Sequence, residues 1–271
     1  MLINILTKKN YLRRITGVKH EKFEKLTKQL KPAWRAAQKR KLVAGRPYGV
    51  GELREHLLLL LIYYRTYTTH LFLAQIFKVD ETTICRAIRR ISPLVERILK
   101  VRPERLLTEN DLQLLIVDAT EQRIERPKNQ RDYYSGKKHA HTIKTEIVTD
   151  SKGRILRVSK PYEGRVHDFE IRKTEGPLPS IPILADSGYQ GLQNEHSVEV
   201  ILPKKKPKNG SLSASEQERN TKLARCRIVI EHTFAHLKKW RILADRYRGL
   251  LTDYAQIFQT IAGIHNLSFV K

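Results

Sequence analysis

Two short apolar runs in the second half of the chain each close on an aspartate, and no other feature constrains the fold as much. Residues 112–117 are almost unbroken apolar sequence with β-branched Ile116 and Val117, and they end on Asp118; residues 181–185 end on Asp186, with Ser187 and Gly188 next. Runs of this length and composition predict buried strands. A carboxylate at the end of a buried strand is costly unless an Arg, hydrogen bonds from a following turn, or a metal ion compensates it.

Further strands belong to the same half. Residues 141–149 alternate, 150–153 read as a turn, and 154–161 return with Ile155 and Val158, which predicts a long hairpin. Another strand is expected at 198–202. Helices are expected at 168–174, at 213–239 with Ser213 as N-cap and Glu216 as its capping-box partner, and at 254–265. Leu223, Ile230, Phe234 and Leu237 mark one face of the long helix.

Glu231 lies on that helix, with Arg227 one turn before it. If the two apolar strands are neighbours and the helix packs on them, Asp118, Asp186 and Glu231 converge. Three carboxylates suit Mg²⁺, a hard ion that takes one or two carboxylates plus water and phosphate oxygens. Taken singly, each acid also has a plainer role: Asp186 as a turn former, Glu231 as the i, i+4 partner of Arg227.

The first half reads as helical. Residues 23–42 carry spaced apolar positions among many cations, and Gly45, Arg46, Pro47, Gly49 and Gly51 break that pattern. Residues 53–67 are apolar nearly all round, as in a central core helix. Two short helices follow at 68–77 and 80–91, held by Ala74, Val79, Ile84 and Ile88. On the second, Glu81, Thr82, Thr83, Arg86, Arg89 and Arg90 face outward, as a helix-turn-helix requires for base edges and phosphates. Lys78 occupies the turn where glycine is common. The plainer alternative is an all-α bundle with a solvated charged face. Pro103 and its charged neighbours place a boundary near 101–108.

Net charge separates these readings. The 271 residues hold 52 Lys and Arg against 28 Asp and Glu, a formal +24, which points to a polyanionic partner. The longest strictly apolar run, 57–62, is far shorter than the roughly 20 residues of a membrane span. At the start, a Leu/Ile cluster precedes Lys8 and Lys9, the reverse of a secretory signal. Two cysteines, Cys85 and Cys226, support neither a disulfide framework nor a Cys-based zinc site, and a reducing cytoplasmic, nucleoid-associated setting is expected.

Several separated motifs in order carry a resemblance over nearly the whole chain. Val117-Asp118-Ala119-Thr120, Tyr134-Ser135-Gly136-Lys137-Lys138, Gly164-Arg165-Val166-His167-Asp168, Ala185-Asp186-Ser187-Gly188-Tyr189-Gln190-Gly191 and Arg227-Ile228-Val229-Ile230-Glu231-His232 together resemble a bacterial insertion-sequence transposase of the DDE type. Residues 45–90 are similar to the helix-turn-helix domain that precedes the nuclease domain in such proteins. The resemblance implies an α/β chain: a small all-α helix-turn-helix domain over 1–105, with the motif at about 68–91, and a ribonuclease-H-like mixed-sheet catalytic domain over 106–271. It makes Asp118, Asp186 and Glu231 the catalytic and metal-binding acids. Two Mg²⁺ ions are expected, with Mn²⁺ able to substitute. Arg227 and Lys238 fit the family's spaced Arg, Glu, Lys signature, while Ala224 stands where a Tyr commonly precedes that Arg.

The resemblance further implies DNA transposition: binding of terminal inverted repeats, cleavage of the element's ends, and joining of the 3′ hydroxyl to target DNA. Cutting two ends together implies a homodimer or larger synaptic assembly, with DNA as partner and no membrane. Expected DNA contacts are Thr82, Thr83, Arg86, Arg89 and Arg90, the pairs Lys137 and Lys138, the loop lysines Lys204, Lys205 and Lys206, and Arg227 and Lys238. Tyr133, Tyr134, His139 and His141 add rings suited to unstacked bases. His167 and Asp168 match a family dipeptide and are expected to support the site, although Asp168 also reads as a helix N-cap and His167 as a packing residue. The rival readings are a non-catalytic DNA-binding regulator derived from a transposase and a metal-dependent, structure-selective nuclease on the same fold.

Overall fold

The computed structural model describes residues 9–39, 48–102, 112–194, 198–208 and 210–269. The break at Gly45, Arg46 and Pro47, the boundary at Pro103 and the chain start before Lys9 lie outside them. Two compact units emerge. The first holds the described residues up to Lys100 together with Lys238–Asp245 and those from Gln256 onward; the second holds Val101–Leu237 and Arg246–Ala255. The carboxy-terminal segments therefore divide between the units, although the apolar pattern alone assigns them all to the second. Among the described residues no helix is long and apolar enough to cross a membrane.

The first unit opens with α1 (Lys9–Thr16), α2 (His20–Lys39) and α3 (Leu53–Thr66). A reciprocal capping box starts α3: Glu52 and Glu55 each accept from the other end of the first turn. Leu57 to Leu61 are all fully buried, because helices cover α3 on every side. The pair α4 (His70–Phe77) and α5 (Glu81–Leu99) follows. Thr69 caps α4 by accepting from the Phe72 amide.

Lys78 takes a left-handed conformation at φ +55°, the geometry for which glycine is usual, and the chain turns there at the expense of strain on a side-chain-bearing residue. Ala74 and Ile84 are buried across that turn. The second helix runs on past Ile91 to Leu99 and carries Pro93 within it. The stripe Ile84, Ala87, Ile91, Val95 and Leu99 is continuous and buried, and its packing outweighs the proline.

The second unit is built on a seven-stranded sheet. Its strands are β1 (Leu115–Arg123), β2 (Tyr134–Ser135), β3 (Ala140–Asp150), β4 (Ile155–Val158), β5 (Tyr162–Glu163), β6 (Ile183–Leu184) and β7 (Val200–Ile201). The spatial order is β2-β3-β1-β6-β7, with β4 and β5 also pairing with β3. β1 is antiparallel to β3 and parallel to β6, so the sheet is mixed. The core comprises Leu115, Val117, Val148, Leu156, Ile183, Ala185, Tyr189 and Leu192.

Two strand expectations are corrected. β1 does not stop at Asp118 but continues to Arg123, because β3 offers a partner for every residue from Thr142 to Asp150. β3 does not alternate: Thr145 to Asp150 are all buried, as befits a strand paired on both edges and covered on both faces. Four further elements complete the unit's framework: α6 (Gln130–Tyr133), α7 (Asp168–Thr174), a 3-10 turn at Ser187–Tyr189, and α8 (Ala214–Leu237). The Ser213 capping box forms as the spacing predicts, with the Ser213 amide donating to Glu216 Oε2 at 2.8 Å and the Glu216 amide to Ser213 Oγ at 3.3 Å. Two helices follow, the short α9 (Arg241–Ala244), which belongs to the first unit, and the 16-residue α10 (Leu251–Asn266), which belongs to it from Gln256 onward.

Candidate active site

Strand register brings the two aspartates level. Ile116 stands opposite Leu184 in the parallel pair, and Asp118 and Asp186 each lie two residues further on. Asp118 Oδ1 accepts from the Ala119 amide at 2.8 Å, and Asp186 Oδ1 accepts from the Gly188 amide at 2.6 Å, which fixes both carboxylates from their own backbone. Asp186 is thus the turn-forming residue its neighbours suggested, and also a neighbour of Asp118. Burial pushes the Asp118 carboxyl up to about 6; Arg227 and the Ala119 hydrogen bond pull the other way, and Asp186 and Asp168 add to the rise.

Asp168 belongs to the same cluster. A methyl placed on Gly188 would meet Asp186 Oδ1 at 2.9 Å and Asp168 Oδ2 at 3.2 Å, so the two carboxylates border one point and only glycine leaves room there. Asp168 is not the N-cap of α7; His167 holds that position, and Asp168 is the first helical residue. Lys144 on β3 donates to Asp168 Oδ1 at 3.0 Å and to the Val166 carbonyl at 2.8 Å, which ties the start of α7 to the sheet. The packing role considered for His167 does not hold either, because its side chain is exposed.

Helix α8 approaches the sheet at two points. Thr233 Oγ1 donates to the Gly153 carbonyl at 3.3 Å, and Arg227 stands 3.6 Å from Asp118 Oδ2, the two side chains being 17% and 19% exposed. Arg227 Nε is buried without a hydrogen-bond partner. Glu231, one turn later, is exposed, and the structure does not draw it into the Asp118, Asp186 and Asp168 cluster. Among the described residues no three acidic, His or Cys side chains stand close enough to hold an ion on their own.

Beneath the acids lies a second, buried layer. Arg172 of α7 pairs with Glu146 of β3, the side chains 0% and 2% exposed, and also donates to the Gly176 carbonyl at 2.8 Å. Burial holds Glu146 at about 7 despite this partner. The buried Tyr189 hydroxyl is pushed well above its ordinary range, by burial first and then by Glu146, Asp118, Asp168 and Asp186, and so stays protonated among four carboxyl groups. Sequence reasoning missed Lys144, Glu146 and Arg172, whose roles depend on pairing across the sheet.

The expected DNA contacts divide. Thr82, Arg86 and Arg89 are exposed on α5, and Thr83 is half-buried. Arg90 turns inward: its guanidinium lies 3.9 Å from the centre of the Tyr48 ring, and Nη1 stands 3.1 Å from His56 Nε2. That aromatic packing, rather than solvent, claims the residue. Lys137, Lys138, Lys205, Lys206 and Lys238 are exposed. Lys204 is engaged by Glu216, and its main chain is held by Asn220 through bonds of 2.9 Å.

A helical unit with a short helix pair, and a mixed sheet with two aspartates at matched height, one on β1 and one just past the end of the parallel strand β6, with an Arg from a packed helix beside them, are the features of a ribonuclease-H-like fold preceded by a helix-turn-helix. The sequence profile of the DDE superfamily endonuclease matches residues 117–266, and that of the helix-turn-helix of DDE superfamily endonuclease matches residues 52–100. A protein of Microchaete diplosiphon, named a probable transposase for insertion sequence element IS702, is 32% identical over 262 residues, covering 94% of this chain and 92% of its own. One of Streptomyces albus G, named likewise for insertion sequence element IS112, is 26% identical over 230 residues, covering 83% of each chain. The chain belongs to the DDE superfamily of insertion-sequence transposases, whose members are divalent-metal-dependent nucleases acting on DNA.

The donor set fits such a metal: carboxylate oxygens from adjacent elements, one of them on a buried acid whose charged form Arg227 and the Ala119 amide compensate only in part. A consequence for stability follows. The folded-state value of Asp118 lies above its ordinary 3.8, so ionising it works against folding; the Asp118 contribution to stability is fully present below 3.8 and is lost as pH rises through about 6, by up to roughly 3 kcal/mol. The metal-free Asp118→Asn protein is expected to melt higher than wild type at pH 7 and to match it near pH 4. Calorimetry at both pH values checks this, and an unchanged melting temperature at pH 7 counts against it.

Proposed function

We propose that the chain binds the terminal inverted repeats of its own element, cuts the element's ends and joins the freed 3′ hydroxyl to target DNA. The observation carrying this reading is the level placement of Asp118 on β1 and Asp186 just past the end of the parallel strand β6, with Arg227 held against Asp118 from α8. Thr82, Thr83, Arg86 and Arg89 would meet DNA from α5, the threonines at base edges and the arginines at phosphates. Asp118, Asp186 and Glu231 would hold Mg²⁺, with two ions as the favoured count and Mn²⁺ a substitute.

Bound metal supplies activation of the attacking oxygen and stabilisation of the leaving oxygen of the phosphodiester. The chain's own residues do the rest. Backbone amides of Ala119 and Gly188 hold the two aspartates in place before DNA arrives. Lys144 fixes Asp168 beside them, and Tyr189 keeps a neutral hydroxyl behind them. Arg227 compensates Asp118 in the metal-free protein. Water is the nucleophile for cleavage and the DNA 3′ hydroxyl for joining, so no covalent link to protein is required. Cutting both ends in one event calls for a dimer or larger synaptic assembly, and the working location is the nucleoid.

Joining separates this reading from its rivals. Purified protein is incubated with a circular target plasmid and either an uncut repeat end or a pre-cut end bearing a 3′ hydroxyl, with Mg²⁺ or with chelator. Metal-dependent covalent joining is the expected result. Cleavage of uncut ends without joining indicates a nuclease, and tight binding with neither product indicates a regulator.

A further inference from the structure

The sheet edge beside β2 carries an open cleft of about 630 Å³ lined by Gln130, Arg131, Tyr134, Gly136, His141 and Arg165. None of these is acidic, and two are arginines. Tyr134 is 47% exposed although it is a large aromatic residue on a strand. Its register partner across the ladder is His141, whose ring stands edge-on to it at 6.0 Å and 75°. This contact steadies the Tyr134 ring while leaving it open to solvent. The wall opposite is fixed by main chain: the Arg165 amide donates to the Asp132 carbonyl at 3.2 Å, and the Gly164 amide to the Thr142 carbonyl at 3.0 Å.

A second cleft of about 440 Å³ shares Arg165 and adds Asp132, Glu163, His167 and Glu170. Its three carboxylates repel a phosphate chain. On the Arg165 side the basic cleft is therefore closed to a phosphate chain, and it stands as an anion pocket with an aromatic platform. A volume in the range of small-molecule sites, a ring free on one face and two guanidinium groups match one ligand class: a nucleotide with its base unstacked.

We propose that this cleft takes a single unpaired nucleotide of bound DNA, its base on Tyr134 and its phosphate between Arg131 and Arg165. The inference rests on the DNA-processing reading but concerns binding alone. Base-on-ring stacking tolerates any base, so the pocket selects unpaired over paired DNA and not one sequence over another.

The test is equilibrium binding of a fluorescent single-stranded oligo-dT, and of a duplex of the same length, by the full chain in chelator at moderate salt. Chelator prevents cleavage, so this result and the joining result stand or fall separately. Tyr134→Ala is expected to weaken oligo-dT binding by roughly 5- to 100-fold while duplex binding stays within about twofold, and Tyr134→Phe is expected to retain wild-type binding. Arg131→Ala is expected to lower the salt dependence of oligo-dT binding. Wild-type affinity of Tyr134→Ala for oligo-dT overturns the proposal. Equal losses on oligo-dT and duplex overturn it too, since they reduce Tyr134 to part of a general DNA surface. Circular dichroism and a thermal melt that matches wild type report that each variant's second unit, which carries Tyr134 and Arg131, is folded.

Discussion

Asp186→Asn is expected to cut DNA ends at least about a thousandfold more slowly than wild type, while binding them with unchanged affinity. The amide keeps an oxygen able to accept from the Gly188 amide, so the turn at Ser187–Tyr189 survives. What it lacks is the charge that a hard divalent ion requires, and metal activation is worth several kcal/mol of barrier. In the proposed reading binding is carried elsewhere, by the exposed arginines of α5 and the basic surface, so anisotropy with labelled end DNA should not distinguish the two proteins. Comparable cleavage by both would remove Asp186 from the chemistry. Weaker binding by the variant would place Asp186 in the DNA contact instead.

The largest expected effect on stability lies behind the acids. Arg172→Met removes the paired cation of Glu146 and leaves only the weaker field of Arg157, in a site where both side chains of the pair are almost wholly buried, and breaking such a pair costs about 3–5 kcal/mol. Glu146 already sits at about 7 with Arg172 present, and losing the cation raises it further. The sign follows: protonated Glu146 is tolerated and ionised Glu146 is not, so the loss is smaller at pH 6 and grows as pH rises through 7 and above. Adding Glu146→Gln to Arg172→Met should recover much of the loss, because no buried charge then remains. Denaturant titrations at pH 6 and pH 8.5 measure all three proteins. An Arg172→Met loss below about 1 kcal/mol at both pH values would contradict this account.

Both effects show what the sequence could and could not disclose. Asp118 and Asp186 were legible because a carboxylate beside a buried apolar run has few physical explanations, and the parallel register then makes them neighbours. The long capped helix carrying Arg227 was legible from its own spacing. Glu146 was not, because in an alternating strand it reads as a solvent-facing acid; it is buried because α7 lays Arg172 over that face of β3. Arg90 misled for the opposite reason. Its place on α5 assigns it to the outer face, yet Tyr48 and His56, far away in sequence, draw it inward. Asp168 looked like a cap until Gly188 and Lys144 located its carboxylate beside Asp186.

Glu231 is the residue on which the account depends most. It shares a helix face with Arg227, which reaches Asp118, yet stands exposed and apart from the aspartates. Its proposed role requires metal and DNA to complete the site. Single-turnover cleavage of an end duplex by wild type and by Glu231→Gln, each with Mg²⁺ and with chelator, measures this directly. The account predicts cutting only by wild type with Mg²⁺, at least about a hundredfold faster than the variant. Cleavage by Glu231→Gln at the wild-type rate, or cleavage by wild type in chelator, would contradict it.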